Sequence, residues 1–138
     1  MEQQSSRAPD APATFSTVTL SPALDVTLSC RKFPESGDVI TGFSEIETPG
    51  GKGLNAARWL AMRGHPVVAS GILGEEGAAP FESLLARYGI VDALGRVPGP
   101  NRRNVMITSP GGMFKVNRQA VPHLRPEDWS LERILAPC

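Results

Sequence analysis

The residues best suited to chemistry stand together in PGGKGLNAARWLAMRG, positions 49–64. Gly50, Gly51 and Gly53 come immediately before Leu54, Ala57, Leu60 and Ala61, an apolar pattern at helical spacing that Gly64 closes. Glycines placed there let the backbone approach a ligand without interference from a Cβ. The unpaired N–H groups of the helix's first turn then face that ligand, and they favour anionic or hydroxyl oxygens. Asn55, one turn in, offers both an amide donor and an amide acceptor, which suits a sugar hydroxyl.

Letter for letter, Gly51-x-Gly53-x-x-Ala56 also matches the dinucleotide fingerprint, with Glu75 roughly 20 residues on. That fingerprint should follow a buried first strand, whereas TGFSEIETP alternates and ends in Pro49. A phosphate-binding P-loop needs Ser or Thr after its Gly-Lys pair, and here Gly53 follows Lys52, which excludes it. A glycine-rich turn that merely enters a helix is the remaining alternative.

The elements that must position this segment can be read along the chain. TFSTVTL (14–20) is β-branched and stops at Ser21-Pro22, which predicts a strand ending in a loop. Residues 25–33 and 38–48 alternate on either side of a Pro34–Gly37 turn, which predicts a two-stranded ribbon with one wet face. PVVASGIL (66–73) is a continuous apolar run, expected of a strand covered on both faces. Phe81, Leu84, Leu85 and Tyr88 line a second helix closed by Gly89. Asn104–Thr108 and Met113–Asn117 predict a hairpin turning at Pro110-Gly111-Gly112, and Pro126 opens a last helix through Leu135. Alternating strands and helices imply an α/β fold with a largely parallel sheet, from which the ribbon is an excursion.

Composition narrows the function classes. Lys plus Arg and Asp plus Glu are equal at 14 each, and no stretch is dense in Lys or Arg, so nothing recommends a nucleic-acid partner. No apolar run approaches the roughly 20 residues of a membrane span. The opening MEQQSSRAPDAP has no apolar h-region, so it does not read as a secretory signal, and residues 1–13 are expected to form a disordered tail. Cys30 and Cys138 fit no metal or redox spacing, as in a reduced cytoplasmic protein. His65 and His123 each neighbour a proline and read as loop or surface residues, while Trp59 and Trp129 read as packing residues.

The glycine segment resembles the first signature of the PfkB carbohydrate kinases, carried here by Gly50-Gly51, Gly53, Asn55, Ala57, Gly64 and Gly74. TVTLSPALDVTL (17–28) is similar to the opening strand and loop of the branch containing the 1-phosphofructokinases and tagatose-6-phosphate kinases, with Ser21 in place of the usual Asn. NRRNVMI (101–107) resembles that branch's Thr-Arg-x-Asn-Val-Lys-Ile strand, with Asn101 for Thr and Met106 for Lys. The resemblance implies a ribokinase-like, three-layer Rossmann-type α/β sheet with a small β lid at about 25–48. Residues 14–138 would be the N-terminal half of such a domain.

It also implies roles. Asp25, which alone reads as a solvated turn carboxylate, would grip sugar hydroxyls, since a carboxylate can accept from two neighbours at once. Gly50, Gly51, Lys52 and Asn55 would bind the sugar. Arg102 corresponds to the arginine that meets a substrate phosphate, a bidentate partner for a guanidinium, while Arg103 should face the other way. The ribbon would close over the sugar, keeping water out, and would pair with a second subunit. The implied reaction is phosphoryl transfer from ATP with Mg to a sugar or sugar phosphate, assisted by a base in a Gly-Ala-Gly-Asp motif. That motif is not in this sequence, so no catalytic residue is assigned, and the ATP-binding half is expected to be missing. The alternatives are a phosphosugar-binding module without catalysis, and a nonfunctional fragment, which the ending ILAPC would suit.

Overall fold

The computed structural model describes residues 14–118 together with Glu132 and Ile134. The expected tail and most of the expected last helix lie outside the described residues. Glu132 and Ile134 themselves are helical.

Two sheets share the chain. The first is parallel throughout, in the order β1 (Phe15–Thr19), β4 (Val67–Glu76), β5 (Val91–Pro100). The second has the order β3 (Ser44–Gly50), β2 (Ala23–Ser29), β6 (Arg102–Ser109), β7 (Gly112–Asn117). Helix α1 (Lys52–Met62) leads from β3 into β4, and α2 (Ala79–Arg87) joins β4 to β5.

The helices form where the apolar spacing requires. Leu54 and Ala57 of α1, with Phe81 and Leu85 of α2, are buried in one cluster with Val67, Ala69, Leu73 and Leu94 of the parallel sheet. Burying each large side chain of this kind stabilises the fold by roughly 1.5–3 kcal/mol. Positive φ at Gly64 and Gly89 ends the two helices where expected. Ile72 and Val97 point to the sheet's other face, where they meet Ile134. Both α1 and α2 pack on the face opposite Ile72 and Val97.

The ribbon is larger than the sequence suggests. Its strands are Ala23–Ser29 and Ser44–Gly50, while residues 30–43 form no strand. β6 adds parallel to β2, and the hairpin partner β7 adds antiparallel to β6, which makes a four-stranded lid. β5 carries no strand signal in the sequence, because Gly95, Pro98, Gly99 and Pro100 interrupt its pattern. It forms because β4 is a continuous apolar template whose second edge must be paired. Cys30 is buried with a free thiol.

Arg96 ties β5 to α2, bonding Asp92 at 2.6 Å and Glu82 at 2.8 Å. Burial pushes the Asp92 carboxyl up, but bonds from Arg96 and the Leu94 N–H outweigh it and leave the group below its ordinary value. Its contribution is therefore present above the unfolded carboxyl value of about 4 and fades as pH falls through the folded one. Asp92→Asn is expected to flatten the loss of stability between about pH 5 and pH 3, by less than about 1 kcal/mol because the pair is part-exposed. Urea melts at several pH values check this.

Gly71 marks the tightest point of the parallel sheet. Its φ is +123°, and a Cβ there would sit 2.0 Å from the Thr19 carbonyl oxygen. Gly71→Ala should cost more than about 3 kcal/mol. Thermal melting should show a midpoint lowered by more than about 10 °C or no cooperative transition.

Candidate functional site

The site forms where β1 ends, the lid begins and α1 starts. Gly51 is the N-cap of α1, with φ +131° and no side-chain cap. A Cβ on Gly51 would lie 2.8 Å from Thr19 Cγ2, and one on Gly53 would lie 2.3 Å from the Val18 carbonyl oxygen. Only glycine lets the first turn of α1 seat against the end of β1 this closely.

Val18, Thr19, Leu20, Ser21, Lys52, Gly53 and Arg102 line a cleft of about 350 Å³ at this junction. Two cationic side chains and the N-terminal turn of a helix thus face one hollow, an arrangement suited to an anion. Alongside it, Asp25 on β2 and Asn55 on α1 converge on Gly50. The position a Gly50 Cβ would take is 3.3 Å from Asp25 Oδ2 and 3.9 Å from Asn55 Oδ1.

The carboxylate of Asp25 is held by one oxygen. Asn104 Nδ2 donates to Oδ1 at 2.7 Å, and Lys115 Nζ lies 3.6 Å from the same atom. Oδ2 is left facing the glycine turn, where among the described residues nothing donates to it. A carboxylate so oriented can accept from hydroxyls of a ligand in the cleft.

The structure therefore brings all six sequence-predicted positions, Asp25, Gly50, Gly51, Lys52, Asn55 and Arg102, to one place. Arg103 points away, as the strand alternation requires, and bonds Glu47. Sequence reasoning missed Asn104 and Lys115. Alternation along β6 could have put Asn104 on the face of Arg102. Lys115 becomes visible only through the hairpin register, which pairs it with Met106. Trp59 corrects the packing expectation: it is 57% exposed, with the Arg63 guanidinium 5.9 Å from its ring centre. It falls outside the buried face of α1, which Leu54 and Ala57 occupy. His65 is exposed and meets Phe15 edge-on; His123, Trp129 and Cys138 lie outside the described residues.

Asn101 anchors the site to the sheet. It is the single residue between β5 and β6, and its buried amide bonds Gly74 N, Gly74 O and Glu76 O at 2.9, 2.8 and 3.1 Å. The lid strand carrying Arg102 is thereby fixed to the end of β4.

No family model matches the chain. Its sequence is 42% identical over 96 residues to the 1-phosphofructokinase of Rhodobacter capsulatus, covering 70% of this chain and 30% of that protein. It is 41% identical over 91 residues to the 1-phosphofructokinase of Xanthomonas campestris pv. campestris, covering 66% of this chain and 28% of that protein. The chain thus spans under a third of the length of these relatives. Its fold is similar to part of the phosphofructokinase-2 of Escherichia coli in complex with fructose-6-phosphate, with TM-score 0.70 and 23% identity over 82% of this chain and 37% of that one.

Asn101→Ala would remove the side-chain partners of the Gly74 N–H and carbonyl, while the Glu76 carbonyl keeps the backbone N–H of residue 101, so stability should fall by about 2 kcal/mol. Denaturant unfolding should show a lower midpoint at unchanged slope.

Proposed function

Because the chain belongs to the PfkB, ribokinase-like carbohydrate kinases and matches their N-terminal part, we propose that it is the sugar-phosphate-binding portion of a kinase resembling the 1-phosphofructokinases. The observation that carries this reading is the pairing of a cationic cleft, with Lys52, Gly53 and Arg102, with the adjoining Asp25, Gly50 and Asn55.

In this reading Arg102 and Lys52 receive the substrate's phosphate, aided by the N–H groups at the start of α1. Asp25 accepts two hydroxyls through Oδ2, Asn55 binds a third oxygen, and Gly50 and Gly51 let the sugar ring approach the backbone. A sugar bearing one phosphate and a free diol satisfies both parts at once, which favours a fructose phosphate over an unphosphorylated sugar.

ATP and Mg belong to the family's reaction, where they supply the transferred phosphoryl group and neutralise its charge. Among the described residues no group of three or more His, Cys, Asp or Glu side chains is arranged to hold a metal ion. The chain by itself is read as binding substrate without turning over ATP.

The lid's exposed Ile46, Met113, Phe114 and Val116 support pairing with a second copy. No helix among the described residues is long and apolar enough to cross a membrane. The same reading places the protein in the cytoplasm, where ATP and sugar phosphates occur.

Calorimetric titration tests the reading. The chain should bind fructose 1-phosphate more tightly than fructose. Arg102→Met should weaken the phosphorylated sugar by about 10- to 100-fold, the worth of one charge-assisted contact, and leave fructose nearly unchanged. Asp25→Asn should weaken both. Equal affinity for the two sugars, or ATP turnover by the chain alone above a matched blank, would contradict the proposal.

A further inference from the structure

Along β6, Arg102 and Asn104 project from the same face, about 6.8 Å apart along the strand, while Arg103 between them faces away to Glu47. Asn104 is only 6% exposed. An ionised carboxylate only accepts, so the amide must present Nδ2 to Asp25, and the 2.7 Å bond does so. That orientation turns Asn104 Oδ1 to the other side, where it is buried and has no donor among the described residues. The Nε–H of Arg102 is likewise buried and has no acceptor. A buried donor and a buried acceptor, both unmet, thus stand two residues apart on one strand face. Leaving either so is unfavourable; the two are not bonded to each other, and one bridging hydroxyl that accepts from the donor and donates to the acceptor relieves both.

We infer that Asn104 is a positioning residue that couples Arg102 to Asp25: one bridging hydroxyl oxygen, of water or of the ligand, accepts from Arg102 Nε–H and donates to Asn104 Oδ1, while Asn104 Nδ2 donates to Asp25. This rests on the sugar-phosphate reading of the same site. With Nε so engaged, the two terminal nitrogens of the guanidinium remain for a phosphate, and the plane of the fork is set. The same amide holds Asp25 Oδ1 so that Oδ2 faces the Gly50 turn. Lys115 Nζ lies 3.6 Å from the same held oxygen. Recognition of the phosphate and of the sugar hydroxyls then depend on each other through one buried amide. Hydrogen bonds arranged in series polarise one another, which makes the two halves of the site cooperative.

A double-mutant cycle on the 138-residue chain, with fructose 1-phosphate as probe, reads this coupling. Asn104→Leu should weaken binding tenfold or more. Arg102→Met should then cost at least fivefold less in the Asn104→Leu background than in the wild type. Additive losses, with wild-type binding intact, would overturn the coupling and leave the sugar-phosphate reading standing. No wild-type binding would overturn that reading instead. A measurement without ligand decides the coupling even then. The Arg102 Nε–H resonance, assigned by its loss in Arg102→Met, should exchange with solvent at least tenfold more slowly in the wild type than in Asn104→Leu. Equal exchange rates would overturn the inference. If Asn104→Leu gives no cooperative melt, Asn104→Ala adds no bulk and serves in both experiments.

Discussion

Everything at the site depends on how closely the first turn of α1 approaches the end of β1. A methyl group at Gly53 would fall inside van der Waals contact with the Val18 carbonyl, and one at Gly51 would meet Thr19. The Val18 carbonyl is held by the register of β1 with β4 from Phe15 to Thr19, and Gly51 has a φ of +131°, which side chains rarely adopt. The chain therefore needs glycine at these positions, and the N–H groups at the start of α1 come to lie in the cleft as a consequence. On the other side of the same strand, Gly71 also admits the Thr19 carbonyl. A few ångströms of backbone around Thr19 set the position of α1, of β4 and so of the cleft itself.

The side chains of the candidate site come from the lid as well as from α1. Asp25, Arg102, Asn104 and Lys115 all belong to lid strands, while Lys52 and Asn55 belong to α1, which packs on the parallel sheet. Two links keep these parts in register. Leu24, at the base of the lid, is buried in the same cluster as Leu54 and Leu73. Asn101 binds the start of β6 to the end of β4. Without those links the charges of the lid and the backbone donors of the helix would lie on separately moving bodies.

How much of this was legible follows from which interactions are local. The α1 helix and its glycines, the apolar β4 and the β6–β7 hairpin all carry their signals in adjacent residues, and they appear where the sequence places them. The six candidate positions were named from the glycine segment and the family resemblance, and the fold brings them close together. β5 was not, because its proline- and glycine-broken sequence becomes a strand only against the edge of β4. The four-stranded lid was half-legible, since the parallel pairing of β2 with β6 joins residues some eighty positions apart, such as Asp25 with Asn104. Asn104 and Lys115 were missed on that account. Trp59 was misread because its place on α1 turns it away from the face that Leu54 and Ala57 bury.

The central claim is that the glycine turn and the lid strand β6 together form one sugar-phosphate site. Backbone amide shifts of the isotopically labelled chain, followed during titration with fructose 1-phosphate, test it most directly. The account predicts saturable changes concentrated at residues 50–55 and 102–104, with little change around Ile72 and Val97 on the sheet's other face. Changes confined to that other face, or spread without saturation over the surface, would contradict it.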